Sequence, residues 1–171
     1  MSMSAPVVAP LIAELEAEAP ITRRVLDRIP ADRLAWRPHP RSMTLGQLAM
    51  HVAMIPERIS ALSHQDGFDA ATARFDPPQP GDLQEIVATH DAGLETARAN
   101  LAGFSAEDLR ANWRLTLGER ELFAIPRAGM LRTLLFNHWV HHRGQLSVYL
   151  RLLDVPLPII YGRSADENPF G

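Results

Sequence analysis

The chain of 171 residues has no cysteine, no lysine and few aromatic residues. Without cysteine there can be no disulfide framework, no thiolate metal ligand and no cysteine nucleophile, so any bound metal must be held by nitrogen and oxygen. All 17 basic residues are arginine. That bias is ascribed to genome base composition, and it removes Schiff-base and lysine general-base chemistry. The net charge of −3 provides no cationic excess for nucleic acid or an acidic membrane surface, so no nucleic-acid or membrane partner is expected. Nowhere is there a run of about 20 apolar residues, the length a spanning helix needs. The first 20 residues lack a basic leading region and soon meet Glu14, Glu16 and Glu18, unlike a signal peptide, so a cytoplasmic location is expected. An apolar content of 46% is enough for one domain, residues 1–171, to bury a core.

Apolar positions recur at three and four residues in four segments, which predicts four long helices. The first spans roughly 7–29 and stops before Pro30. The second begins at Thr44, where Thr44 and Gln47 have the spacing of a capping box, and it contains His51 and, further on, Pro56. A kink at Pro56 is expected because proline has no amide hydrogen to donate. The third follows Asp82 as N-cap, with Glu85 three residues on. The fourth covers about 128–153. Residues 113–123 alternate around Gly118 and predict a short β-hairpin between helices three and four. Proline-rich links at 30–43 and 64–81 are too long for tight turns, so the expected class is all-α, a four-helix bundle with long connections.

The unusual feature is histidine where leucine is expected. His138 and His142 lie four apart, only about 40° round a helix, and the same arithmetic places Leu131, Leu134, Leu135, Tyr149, Leu152 and Leu153 on that face. His51 sits in the apolar stripe of helix two, three residues after Leu48 and four before Ile55. One histidine on an apolar face is ordinarily a core residue bonded to a carbonyl or carboxylate. Three directed at one core are different: an i, i+4 imidazole pair with a third from a facing helix can hold zinc or a related divalent ion. A shared cation would also relieve the cost of burying unsatisfied imidazoles, about 1–3 kcal/mol for each such group. His141 lies at the edge of the stripe and is ranked as supporting or surface. His90, central in helix three, is a fourth-ligand candidate whose plainer reading is a satisfied core histidine. Gln145 shares the face of His138 and His142 and could orient a ligand there. No aspartate or glutamate falls in the inner stripes of helices two and four, so no carboxylate general base is visible.

The string from Leu134 to Leu150, LLFNHWVHHRGQLSVYL, with the upstream run from Trp36 to His51, WRPHPRSMTLGQLAMH, resembles the DinB family, also described as YfiT-like. The likeness extends to the tail from Ile160 to Glu167. One histidine on the second helix and H-x-x-x-H on the fourth match His51, His138 and His142. The resemblance implies an up-down-down-up bundle, a nickel, zinc or similar centre, and commonly a homodimer. Its wider relatives include enzymes using low-molecular-weight thiols, such as mycothiol-dependent maleylpyruvate isomerase and thiol S-transferases, and proteins classed as metal-dependent hydrolases. Arg163 departs from the proline that relatives often place there.

Two functions follow as expectations. A metal held by three neutral ligands with an open position would activate water or a thiol on a small-molecule substrate, and that thiol would have to come from outside the chain. Alternatively the metal is a structural staple in a binding or assembly module, which would need a fourth protein ligand, His90 or His141. A metal-free bundle with polar core histidines is the remaining reading.

Overall fold

The computed structural model describes residues 5–74 and 76–170. In chain order it contains helix α1 (Ala5–Leu26), a 3-10 turn (Ala31–Arg33), α2 (Leu45–Leu62), strand β1 (Gly67–Asp69), a second 3-10 turn (Ala70–Thr72) and α3 (Leu83–Ala102). There follow α4 (Ala106–Arg110), β2 (Asn112–Leu117), β3 (Arg120–Pro126), α5 (Arg127–Met130), a π-helical segment (Leu131–Asn137) and α6 (His138–Leu152). Helix α2 packs on α3 and α6, and α1 packs on α3 and α6. The four surround a core that includes Leu26, Leu48, Val52, Ile86, Leu101, Leu131 and Leu146, all buried. Among the described residues no helix is long and apolar enough to cross a membrane.

Local chemistry sets the element starts. Thr44 Oγ1 accepts from the Gln47 amide at 3.1 Å while Gln47 Oε1 accepts from the Thr44 amide at 3.0 Å, so the capping box forms. Asp82 accepts from the Glu85 amide at 2.8 Å and opens α3. Helix α2 continues through Pro56, which cannot donate to the Val52 carbonyl one turn back. The buried Trp139 indole donates to that carbonyl instead, at 3.0 Å. Because Val52 follows His51 and Trp139 follows His138, this bond joins α2 and α6 beside the histidines. Trp139→Phe is expected to destabilise the protein by at least about 1–3 kcal/mol, the cost of orphaning the carbonyl. In a Pro56→Ala background the restored amide can reach Val52, so the two changes should be non-additive by about 0.5 kcal/mol or more in a denaturation cycle.

The architecture departs from expectation at several points. The fourth predicted helix, 128–153, is a composite. In its π-helical part the amide of His138 reaches Thr133 O, five residues back, as well as Leu135 O. This wider winding keeps Leu131, Leu135 and Phe136 buried together, and α-helical arithmetic does not apply across it. The hairpin forms with Gly118 at φ +60°, and its strands belong to a three-stranded sheet in the order β1-β2-β3. Strand β1 pairs parallel to β2 through Gly67–Arg114, Phe68–Leu115 and Asp69–Thr116, and the Gly118 amide donates to Asp69 Oδ1 at 2.8 Å. Three residues inside a predicted link are too few to show period-two alternation, and their partner lies far along the chain.

The buried stripe of α6 is Trp139, Arg143, Leu146 and Leu150. The stripe expected from sequence began with Leu131, Leu134 and Leu135, of which Leu131 and Leu135 are buried, and continued through His138, His142, Tyr149, Leu152 and Leu153. The residues of that second part flank the core: the histidines and Tyr149 are half-buried and Leu152 is exposed. An arginine in the true stripe disguised it.

Candidate metal centre

His51 comes from the middle of α2, and His138 and His142 from the first turns of α6. One ring nitrogen from each lies within 4.8 Å of the other two, and all three side chains are half-buried. Their ring centroids are 5.1 Å apart for His51 and His138, 4.4 Å for His51 and His142, and 4.5 Å for His138 and His142. His51 Nε2 and His138 Nε2 stand 3.3 Å apart. Two nitrogens bonded at about 2.05 Å to one tetrahedral ion are separated by about 3.3 Å, so this spacing fits a shared cation.

The outer nitrogens are held. His138 Nδ1 faces the Leu134 carbonyl at 3.3 Å, and because a carbonyl only accepts, Nδ1 carries the proton and Nε2 keeps its lone pair. In a regular α-helix that carbonyl would take the His138 amide, which here donates to Thr133 and Leu135. His142 Nδ1 donates to Gln145 Oε1 at 2.7 Å, which likewise leaves Nε2 for the cluster. Fixing the far nitrogen of a ligating imidazole in this way selects its tautomer and orientation. The supporting role considered for Gln145 therefore has a partner, His142.

The two further candidate histidines, His141 and His90, are not among the three that converge. His141 is exposed, its ring 4.9 Å from that of His142. His90 is 1% exposed, its Nδ1 is 3.1 Å from Asp91 Oδ1, and its Nε2 is buried without a partner. Its ring lies 6.2 Å from Trp139. Among the described residues neither joins the three-histidine group.

Burial pushes the cluster imidazoles toward neutrality. His51 is lowered to about 4, first by desolvation and then by the neighbouring His142, His138 and Arg58. His142 is also lowered to about 4, chiefly by desolvation, and His138 is shifted the same way for the same first reason. An unfolded chain binds protons on these rings from about pH 6.5 downward, whereas in the folded protein His51 and His142 do so only near about pH 4 and His138 is shifted in the same direction. Stability of the metal-free protein is therefore expected to be level above about pH 7 and to fall as pH drops from about 6.5 to about 4. Urea midpoints of chelator-treated protein at several pH values check this; a midpoint independent of pH across that window would contradict it.

A neighbouring network was missed at the sequence level. Arg143, next to His142, is 1% exposed and pairs with Glu18 Oε2 at 2.6 Å and Thr22 Oγ1 at 3.0 Å. It also donates to the Tyr161 hydroxyl, which in turn donates to Glu18 at 2.8 Å. The available signal was an arginine at helical spacing from Trp139, Leu146 and Leu150. Arg127 plays a similar part elsewhere, donating to the carbonyls of Ser63 at 2.6 Å and Asp108 at 2.6 Å.

On one side the cluster opens to a cavity of about 300 Å³ lined by His51 and His138 together with Arg58, Phe68 and Arg74. A second recess, of about 410 Å³, is lined by Gln145, Arg41 and Tyr149 among others.

The same arrangement is accompanied by similarity to known proteins. The chain is 28% identical over 157 residues to the uncharacterised protein YrdA of Bacillus subtilis, covering 89% of this chain and 86% of that one. Its fold is similar to the crystal structure of a DinB-like protein, YjoA, from Bacillus subtilis, with a TM-score of 0.67 and 18% identity over 90% of this chain and 99% of that one. A DinB-like protein from Bacillus cereus is similar with a TM-score of 0.64 and 24% identity, over 84% of this chain and 91% of the other. With the DinB family profile matching residues 1–168, nearly every element described above, the chain belongs to the DinB family.

Proposed function

We propose that His51, His138 and His142 bind one divalent ion, zinc or nickel, and that the protein is a metal-dependent enzyme activating water or a low-molecular-weight thiol. The observation that carries this reading is a three-nitrogen cluster beside a cavity, with no fourth protein ligand among the described residues. A structural zinc site is ordinarily closed by four protein ligands, whereas catalytic sites keep a position open. A staple would need His90 or His141 as its fourth ligand, and among the described residues neither lies in the three-histidine group: the unpartnered Nε2 of His90 is buried outside it and His141 is exposed.

When bound, an ion held by three neutral imidazoles keeps its full charge and supplies Lewis-acid activation. The protein's own contribution is positional. Gln145 and the Leu134 carbonyl hold two rings with their lone pairs inward, and the Trp139–Val52 bond holds α6 against α2. We extend the reading to the whole chain: one up-down-down-up bundle domain, a homodimer, acting in the cytoplasm on a small molecule. The thiol, where one is used, is a cosubstrate, because the chain has no cysteine.

Cobalt(II)-loaded protein tests the proposal. One equivalent of metal should bind, and adding cysteine or azide should change the ligand-field spectrum through an exchangeable position. A spectrum indifferent to both would mean a closed shell and a structural metal, and no metal uptake would remove the reading altogether.

A further inference from the structure

Beside the histidines, the cavity of about 300 Å³ is lined by two guanidinium groups, Arg58 from α2 and Arg74 from the segment after the second 3-10 turn. The rest of its wall is largely apolar, from Ile59, Leu62, Phe68 and Pro77. Among the described residues no aspartate or glutamate lines it. Arg23 is paired with Asp91, Arg98 with Glu16, and Arg132 with Glu14, whereas Arg58 and Arg74, like Arg24, Arg37, Arg41, Arg110, Arg120 and Arg163, have no acidic partner among the described residues; what sets these two apart is that they share one apolar-walled cavity. Arg58 lies seven residues after His51, two turns along one face, or about 10 Å of helix rise. Two cations left unpaired beside an apolar wall form a site for an anionic group carrying an apolar body, and a guanidinium fork matches a carboxylate.

We propose that this cavity binds an organic carboxylate, with Arg58 and Arg74 holding the carboxylate and the apolar wall receiving its hydrocarbon part, so that the ligand body reaches back toward His51 and His138. The inference deepens the metalloenzyme reading, on which its catalytic meaning rests, by naming the substrate class as an acid with a small alkyl or aryl body. The volume suits such a ligand, being at the lower end of the roughly 300–1,000 Å³ of small-molecule sites. A simpler role, arginine stems lying over apolar surface with their heads in water, leaves carboxylate affinity indifferent to the guanidinium.

Calorimetric titration with hexanoate and with its uncharged counterpart hexanamide separates these roles, using metal-loaded and metal-free protein in parallel. Hexanoate should bind both forms, and hexanamide at least about tenfold more weakly. Arg58→Gln and Arg74→Gln should each weaken hexanoate about tenfold with metal content and melting temperature unchanged, and Arg58→Lys should recover part of the loss. Equal affinity for acid and amide, no measurable hexanoate binding, or affinity unaffected by either glutamine variant would overturn the proposal. Hexanoate bound only by the metal-loaded form, without dependence on Arg58 or Arg74, would assign the carboxylate to the metal and also overturn it. If the protein takes up no metal yet binds hexanoate through Arg58, the metalloenzyme reading falls and the carboxylate site stands.

Discussion

His138→Ala is expected to lower affinity for zinc by at least about 100-fold, more than the 10–100-fold that follows loss of an outer hydrogen-bond partner of a metal ligand. His138 is the pivot of the cluster: its Nε2 is 3.3 Å from that of His51, it shares α6 with His142, and its Nδ1 is anchored on Leu134 O. Two remaining imidazoles leave an ion to be completed largely by water. The loss should also appear as stability. Zinc at about 100 times its dissociation constant stabilises a folded protein by about 2.7 kcal/mol, which for a chain of this size raises Tm by about 5–11 °C. The wild type should show that rise on addition of zinc and His138→Ala should not. Gln145→Ala, which frees His142 Nδ1 without removing a ligand, should weaken binding by about tenfold and keep most of the shift. Elemental analysis and melting curves of the three proteins decide the matter; equal zinc content in His138→Ala and wild type would exclude ligation by this residue.

The second large effect concerns stability. Arg143→Ala should destabilise the protein by about 3–5 kcal/mol, the range for removing one partner of a buried ion pair. Glu18, only 13% exposed at its side chain, would keep its charge without the guanidinium 2.6 Å away. Thr22 and Tyr161 would each lose a donor in the same step. The Tyr161 phenol is held above its ordinary range, first by desolvation and then by Glu18, so it stays a donor to that carboxylate and cannot replace the lost positive charge. A fall in Tm of roughly 6–20 °C is expected. Below the lowered Tm the variant should still bind one equivalent of zinc, which distinguishes a frame residue from a ligand. Arg143→Lys should lie between the two, since an ammonium keeps the charge but cannot reach Glu18, Thr22 and Tyr161 from one planar fork. A Tm within about 2 °C of wild type would show the network to be energetically idle.

The residues that could be read early are those whose information is local. A hydroxyl and an amide three apart specify the start of α2, and an aspartate three residues before an amide specifies the start of α3. His138 and His142 share a face because both lie within regular α6, where spacing alone decides direction. His51 could be joined to them because an imidazole inside an apolar stripe needs a partner.

What tertiary structure decided was everything that depends on which surfaces meet. Residues 131–137 have no distinguishing pattern, yet their π-helical winding releases Leu134 O to orient His138. Arg143 resembles a surface residue until Glu18, Thr22 and Tyr161, from α1 and the tail, close around it. The three-residue β1 exists only because β2 lies alongside it. Arg58 and Arg74 acquire meaning only through the cavity they share with His51 and His138. Spacing of a few residues fixes angles on one helix, so the sequence by itself determined the starts of α2 and α3 and the candidate ligands. Contacts between distant segments decided which stripe is buried, how the imidazoles are held and what charge faces them.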